Sequence, residues 1–398
     1  TARARRRPAV TVRLLLVVLA IVPLVGAAWF ATQEFTRTRA ARADVANVTE
    51  LAVQHAEIAK LRSAVLDERN WVIVARGLEE LGIPSDVVFD FTGFDSEAEL
   101  LAAREAVDAA LTTDVLDDVA SEVVALRSDL TPMGEMHDSY LALELSLADR
   151  GDAVQADLLA YAGDVDGGGD LIAALRVLEV GTTARLAVAS ELTTYFSVQF
   201  PLAGDAGSEL RTLAGQQVTY EGAFSELSRT ALPGSAAAEA VSDIEASEAV
   251  ASFRDAIDDA IAAAVAGSGS PGEFSSAAVF SNIDQVASGF TMGIASAQVH
   301  RELVEGAAAD VAATSEMAAR RADDAASRAA IMLIALTVTT LASVFAVGHL
   351  IVSPLRKLSN RANQLRQTGD VAAEPVRGPR EVRDVGAAID EAAAHLAL

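Results

Sequence analysis

Ala329–Val352 reads AAIMLIALTVTTLASVFAVGHLIV, 24 residues in which His349 is the only titratable side chain. At 1.5 Å of rise per residue, a helix of this length exceeds the roughly 30 Å hydrocarbon core of a bilayer. A second apolar stretch, Leu14–Ala31 (LLLVVLAIVPLVGAAWFA), has 18 residues and no charge. One such stretch could be the core helix of a soluble protein, but two at opposite ends of an acidic chain read as spanning helices. They divide the sequence into a basic segment 1–13, a span 14–31, an outer region 32–328, a second span 329–352 and a tail 353–398.

Arginine placement orients these pieces, because cytoplasmic flanks collect positive charge. Arg3, Arg5, Arg6, Arg7 and Arg13 precede the first span, and Arg356, Lys357, Arg361 and Arg366 follow the second. Arg37, Arg39, Arg42, Arg320, Arg321 and Arg328 flank the other ends, so the asymmetry is partial. A two-span chain puts both termini on one side, which predicts a two-pass plasma-membrane protein with cytoplasmic termini. Gly26, Ala27 and Ala28 offer a signal-peptide cleavage reading, but the apolar core is longer than such peptides carry.

Residues 43–352 hold 49 acidic and 16 basic side chains, a net of −33, while 1–42 carry +7 and 353–398 carry +1. An outer region this acidic is unsuited to nucleic acid or anionic lipid. Zero cysteines exclude disulfides, thiolate catalysis and thiolate metal sites. The outer region must therefore be held by its own core.

Leu51, Ile58, Leu61, Val65 and Val72 recur at helical spacing, predicting a long amphipathic helix from Val45 to Leu81, ended by Ile83-Pro84-Ser85. An aromatic turn at Phe89–Phe94 precedes a helix opened by Asp95-Ser96-Glu97 and running to about Ala110. Further helices are expected at Asp114–Asp129, Met136–Tyr161, Leu171–Phe200, Ser208–Leu232 and Ala236–Val265. From Glu273 the pattern stays helical into the second span, with a weak point at Gly289–Gly293. Asp164-Val-Asp-Gly-Gly-Gly-Asp170 alternates carboxylates and glycines but lacks the glutamate that closes a calcium loop, and reads as a hinge between two helical halves. No stretch alternates with period two, so the fold class is all-α: an outer helical bundle or pair of bundles between two spanning helices.

Arg62, Arg69 and Arg76 lie seven apart, in one line beside the apolar stripe of the first outer helix. Such a row is either paired with carboxylates such as Glu57, Asp67, Glu68, Glu79 and Glu80, or it serves an anion, for which the planar guanidinium fork is suited.

Leu61-Arg-Ser-Ala-Val-Leu-Asp-Glu68-Arg69-Asn70 resembles the Leu-Gln-x-Glu-Arg segment of NIT domains, the nitrate- and nitrite-sensing helical bundles of bacterial receptors. Leu175-Arg-Val-Leu-Glu179 with Thr183-Ala-Arg185-Leu186 is similar to the second signature of that family. Leu66 and Ala184 stand where the family commonly has glutamine, and Asn70-Trp71 where it has small or hydroxyl residues. The resemblance covers about residues 45–264, and implies that Arg69 and Arg185 face each other across the bundle and hold the anion, with Arg62 and Arg254 as further candidates.

Pro354-Leu355-Arg-Lys-Leu358, Arg361–Leu365, Gly369-Asp370 and Glu381-Val382 leading to Val385, Ile389 and Leu396 resemble a HAMP domain over 353–398. That likeness implies two short helices that dimerise as a parallel four-helix bundle. A juxtamembrane basic helix lying on lipid headgroups is the other reading of this segment.

None of His55, His137, His300, His349 and His395 stands in a phospho-acceptor or metal-ligand setting, and no glycine-rich nucleotide loop is present. Neither catalytic residues nor a cofactor is expected. The expectation is the sensory and membrane part of a dimeric two-component receptor that binds a small anion. It would signal through a sensor histidine kinase region beyond Leu398 to a response regulator. A chemotaxis-type receptor and a ligand-free scaffold sensing the envelope or a partner remain the alternatives.

Overall fold

The computed structural model describes residues 12–80, 82, 89, 95–111, 117–128, 133–163, 165–199, 206–267, 283–347, 349, 353–368 and 380–396, with the side chains of 12–24, 283–287, 380–382 and of single positions mostly at helix ends outside the description. Among them every regular element is a helix: α1 (Val12–Glu80), α2 (Ser96–Ala110), α3 (Asp117–Ser128), α4 (Met133–Ala162), α5 (Gly168–Gln199), α6 (Ala206–Thr230), α7 (Ala236–Ala246), α8 (Glu248–Gly267), α9 (Ile283–Val347), α10 (Ser353–Thr368) and α11 (Arg380–Leu396). The all-α class follows. The expected break at 83–85, the Gly369-Asp370 segment and most of the aromatic turn lie outside the described residues.

The chain divides into two compact units, residues 43–321 and residues 1–42 with 322–398. In the first unit two apolar clusters share α1 and α4. One gathers Leu61, Val65, Val107, Val123 and Leu147 from α1 to α4. The larger gathers Leu158, Leu175, Leu178, Val188, Leu213, Phe253, Leu303 and Val311 from α4 to α9.

Local chemistry sets the helix ends. Asp95 caps α2, accepting from the backbone N–H of Glu97 at 3.1 Å and Ala98 at 3.2 Å. Residues 165–168 form a tight turn in which Gly167 adopts φ +86° and Gly168 N–H donates to Val165 O at 2.9 Å. The single helix expected over Ala236–Val265 is two, α7 and α8, because Ser247 takes an extended conformation (φ −74°, ψ 117°). The Ser247 hydroxyl then accepts from Val250 N–H at 3.3 Å, recapping the chain.

Gly289 and Gly293 do not weaken α9. They are points of close packing against its neighbours: a Cβ at Gly293 would sit 2.6 Å from Leu192 Cδ1 and 2.8 Å from Phe253 Cε2. A Cβ at Gly289 would collide with the Tyr195 hydroxyl.

In the second unit, α9 contains an 18-residue stretch of mean hydropathy 2.2, none of it buried. Ile331, Met332, Ile334, Leu341 and Phe345 are all exposed. This helix is long and apolar enough to cross a membrane. Helices α10 and α11 pack on each other, with Leu358 buried.

Candidate functional site: a buried arginine seam

α1 carries Arg62 and Arg69 along one line, and the same face presents the core residues Leu61, Val65 and Val72. The guanidiniums therefore enter the bundle with the apolar stripe. Arg69 is 4 % exposed and Arg185, from α5, is 0 % exposed. Charges this deep require partners.

Arg69 Nη1 donates to Glu144 Oε2 of α4 at 2.6 Å. The contact is single-point: Arg69 Nε and Glu144 Oε1 are buried without a hydrogen-bond partner. Burial pushes the Arg69 pKa down, against the attraction of Glu144 and with the repulsion of Arg185. Burial likewise pushes Glu144 up, against the pull of Arg69, Arg62 and Arg185. Both groups are driven toward their neutral forms, so this pair does not offset its own desolvation.

Arg185 Nη2 donates to Asp67 Oδ1, while its Nε and Nη1 are buried and unpartnered. Asp67 Oδ2 lies 3.6 Å from Arg301 Nη1 of α9. Arg62 makes no hydrogen bond or ion pair among the described residues; its Nε is buried and burial lowers its pKa. The fields of all three arginines converge on Glu144. Of the carboxylates expected to pair, Asp67 takes Arg185, whereas Glu68 takes Arg127. Arg76, the third of the heptad row, pairs with exposed Glu79 at 2.7 Å.

Two neighbouring networks show arginines that fork onto a carboxylate in this bundle, although Arg254 Nε is still buried without a partner. Glu68, buried at 1 %, takes both Arg127 Nε and Nη2 at 2.7 Å and the Tyr140 hydroxyl at 2.8 Å. Arg254 of α8 meets Glu191 through both Nη atoms, one at 2.5 Å, and stacks 4.0 Å over the Tyr220 ring. Tyr220 also hydrogen-bonds His300 Nε2 at 3.1 Å, and His300 Nδ1 bonds Ser296 O at 2.7 Å. Burial drives the His300 pKa down to about 3, so the ring is neutral.

Of the four candidate arginines, the fold brings Arg62, Arg69 and Arg185 onto one seam and gives Arg254 a fully forked carboxylate next door. Glu144, Glu191, Tyr220 and His300 escaped sequence reading. Their signal was a lone polar residue on an apolar stripe: Glu144 between Leu143 and Leu147, His300 between Ala297 and Leu303. Among the described residues no group of His, Asp and Glu could hold a metal ion. No protein-family model, curated protein or solved structure matches the chain.

Proposed function

We propose that the chain is the sensing and membrane portion of a two-component transmembrane receptor, and that the Arg62–Arg69–Arg185 seam binds a small planar anion of the nitrate or nitrite kind. The observation that carries this reading is the contrast between arginines. Arg127 and Arg254 each fork two nitrogens onto one carboxylate, Arg254 keeping only Nε unpartnered, whereas Arg69 and Arg185 each make a single bond to a carboxylate, with Arg69 Nε and Arg185 Nε and Nη1 buried and unspent. Arg62, Arg69, Arg185 and Arg301 stand against Glu144, Asp67 and Asp152, an excess of one positive charge, and an oxyanion would supply both the charge and the acceptors.

In this reading both apolar stretches span the membrane, supported on the first by exposed Val25, Trp29 and Phe30. Both termini lie in the cytoplasm. Binding biases helix packing, and α9, one unbroken helix from Ile283 to Val347, carries the shift toward α10 and α11. A HAMP-like pair formed by α10 and α11 in a homodimer would pass it to a histidine kinase domain and its response regulator.

A ligand-free scaffold is the second reading, favoured by the carboxylate that Arg69, Arg185 and Arg254 each already hold. Calorimetry of the chain in lipid nanodiscs separates the two. Saturable heat with nitrate or nitrite that Arg69→Ala and Arg185→Ala abolish supports the sensor. Absence of heat with either anion and with small carboxylates, in protein of native helicity, supports the scaffold.

A further inference from the structure

Helices α1, α2, α5 and α9 enclose a cavity of about 140 Å³ beside the seam. A cavity on the order of 150 Å³ accommodates a molecule of benzene size. One wall is aromatic, built from Trp71, Phe196 and Phe290. Asp67, Glu99 and Arg301 bring charge of both signs to the same space.

Arg301 pairs only loosely with Asp67, and Glu99 is left over. Glu99 makes no side-chain hydrogen bond or ion pair among the described residues. Arg301 approaches Asp67 at 3.6 Å and Glu305 at 3.9 Å, too far for a hydrogen bond to either. The cavity therefore presents an open carboxylate, a guanidinium fork with its donors unspent, and an apolar wall.

An inorganic anion would leave the wall and Glu99 unused, and a hydrocarbon would cover Glu99 unpaired and leave the Arg301 donors without a hydrogen bond. We propose that this cavity binds a small zwitterion with an apolar side chain, an α-amino acid in chemical class. Its carboxylate takes the Arg301 fork, and its ammonium lies against Glu99 and Asp67, where ring faces also favour a cation. The apolar side chain packs on Phe196 and Phe290. This site uses neither Arg69 nor Arg62 but shares Asp67 with the seam, where Asp67 accepts from Arg185, so its test rests on Glu99 and Arg301, which the seam does not use.

Only Trp29 and Trp71 occur in the chain, so Trp29→Phe leaves the cavity residue as the sole tryptophan. The Trp29→Phe protein, in nanodiscs, is titrated with glycine, L-alanine, L-valine, L-leucine and L-phenylalanine while Trp71 emission is recorded. A saturable change with at least one of them is expected, weakened about tenfold or more, 1.4 kcal/mol, by Glu99→Gln and by Arg301→Gln. The amine and the carboxylic acid that lack the second charge should bind at least as much more weakly. No saturable change up to millimolar concentrations overturns the proposal. So does undiminished binding in Glu99→Gln, a half-exposed position whose loss leaves the core intact, or an amine that binds as tightly as its amino acid.

Discussion

Arg185 has no exposed surface, yet it spends one of its three nitrogens on Asp67. Glu68, equally buried, spends both oxygens on three donors. Removing one member of a satisfied buried network typically costs about 3–5 kcal/mol. Glu68→Gln is therefore expected to lower the unfolding free energy by about that amount, measured by urea titration. Glu144→Gln is expected to cost clearly less, since burial already favours its neutral form. It should also tighten nitrate binding by releasing Arg69; unchanged or weaker nitrate binding there would count against the seam.

His300 gives a pH signature. Its folded pKa is about 3 against an ordinary 6.5, with Arg185, Arg254, Tyr220 and Ser296 around it. Below 6.5 the unfolded chain takes up a proton that the folded chain refuses. Its contribution is full above pH 6.5 and falls by about 1.4 kcal/mol per pH unit on acidification. Glu144 and Glu191, whose pKa values are raised by burial, act in the opposite direction. The stability difference between wild type and His300→Gln isolates the ring, and should shrink by about 2 kcal/mol from pH 7 to pH 5. A constant difference would mean that His300 is charged in the fold. The heptad row and two short motifs made Arg62, Arg69 and Arg185 legible; their partners were not, because pairing joins residues up to 118 positions apart.

At the scale of elements, propensity and packing make opposite demands at Gly293. Glycine to alanine in an open helix gains about 1 kcal/mol. Here the added Cβ meets Leu192 and Phe253 within 2.8 Å, so Gly293→Ala is expected to destabilise by about 1–3 kcal/mol. Gly215→Ala, whose Cβ meets nothing within 4 Å, is the control and should stabilise. The helix α7 is pinned at its start by Asp310 of α9, which accepts from Ala236 N–H at 3.0 Å and Ala237 N–H at 2.9 Å. Loss of such a cap costs about 1 kcal/mol, and Asp310→Asn should retain part of it in thermal melts. The start of α2 at Asp95 was readable, since a cap acts on adjacent residues. The break at Ser247 was not, because the apolar pattern continues on both sides.

For the whole molecule, the exposed apolar girdle of α9 calls for a hydrocarbon surround. The absence of cysteine makes single-cysteine labelling clean. Ser139→Cys is expected to react with an impermeant maleimide in intact cells, while Ala4→Cys and Ser359→Cys should react only after permeabilisation. Reaction of all three in intact cells would exclude the two-pass orientation. Resistance of the protein to alkaline carbonate extraction checks the membrane insertion itself.

Sequence alone determined the all-α class, most helix boundaries and the apolar stretch that makes α9 long enough to span a bilayer. Each of these is fixed by periodicity, capping residues or hydropathy along neighbouring positions. Only the tertiary structure decided which arginines are spent and which hold unpaired donors, that two glycines are contacts rather than weak points, and that a cavity of mixed charge opens beside Asp67. These depend on groups far apart in the chain being desolvated together, and no local pattern encodes which charges burial will bring into reach.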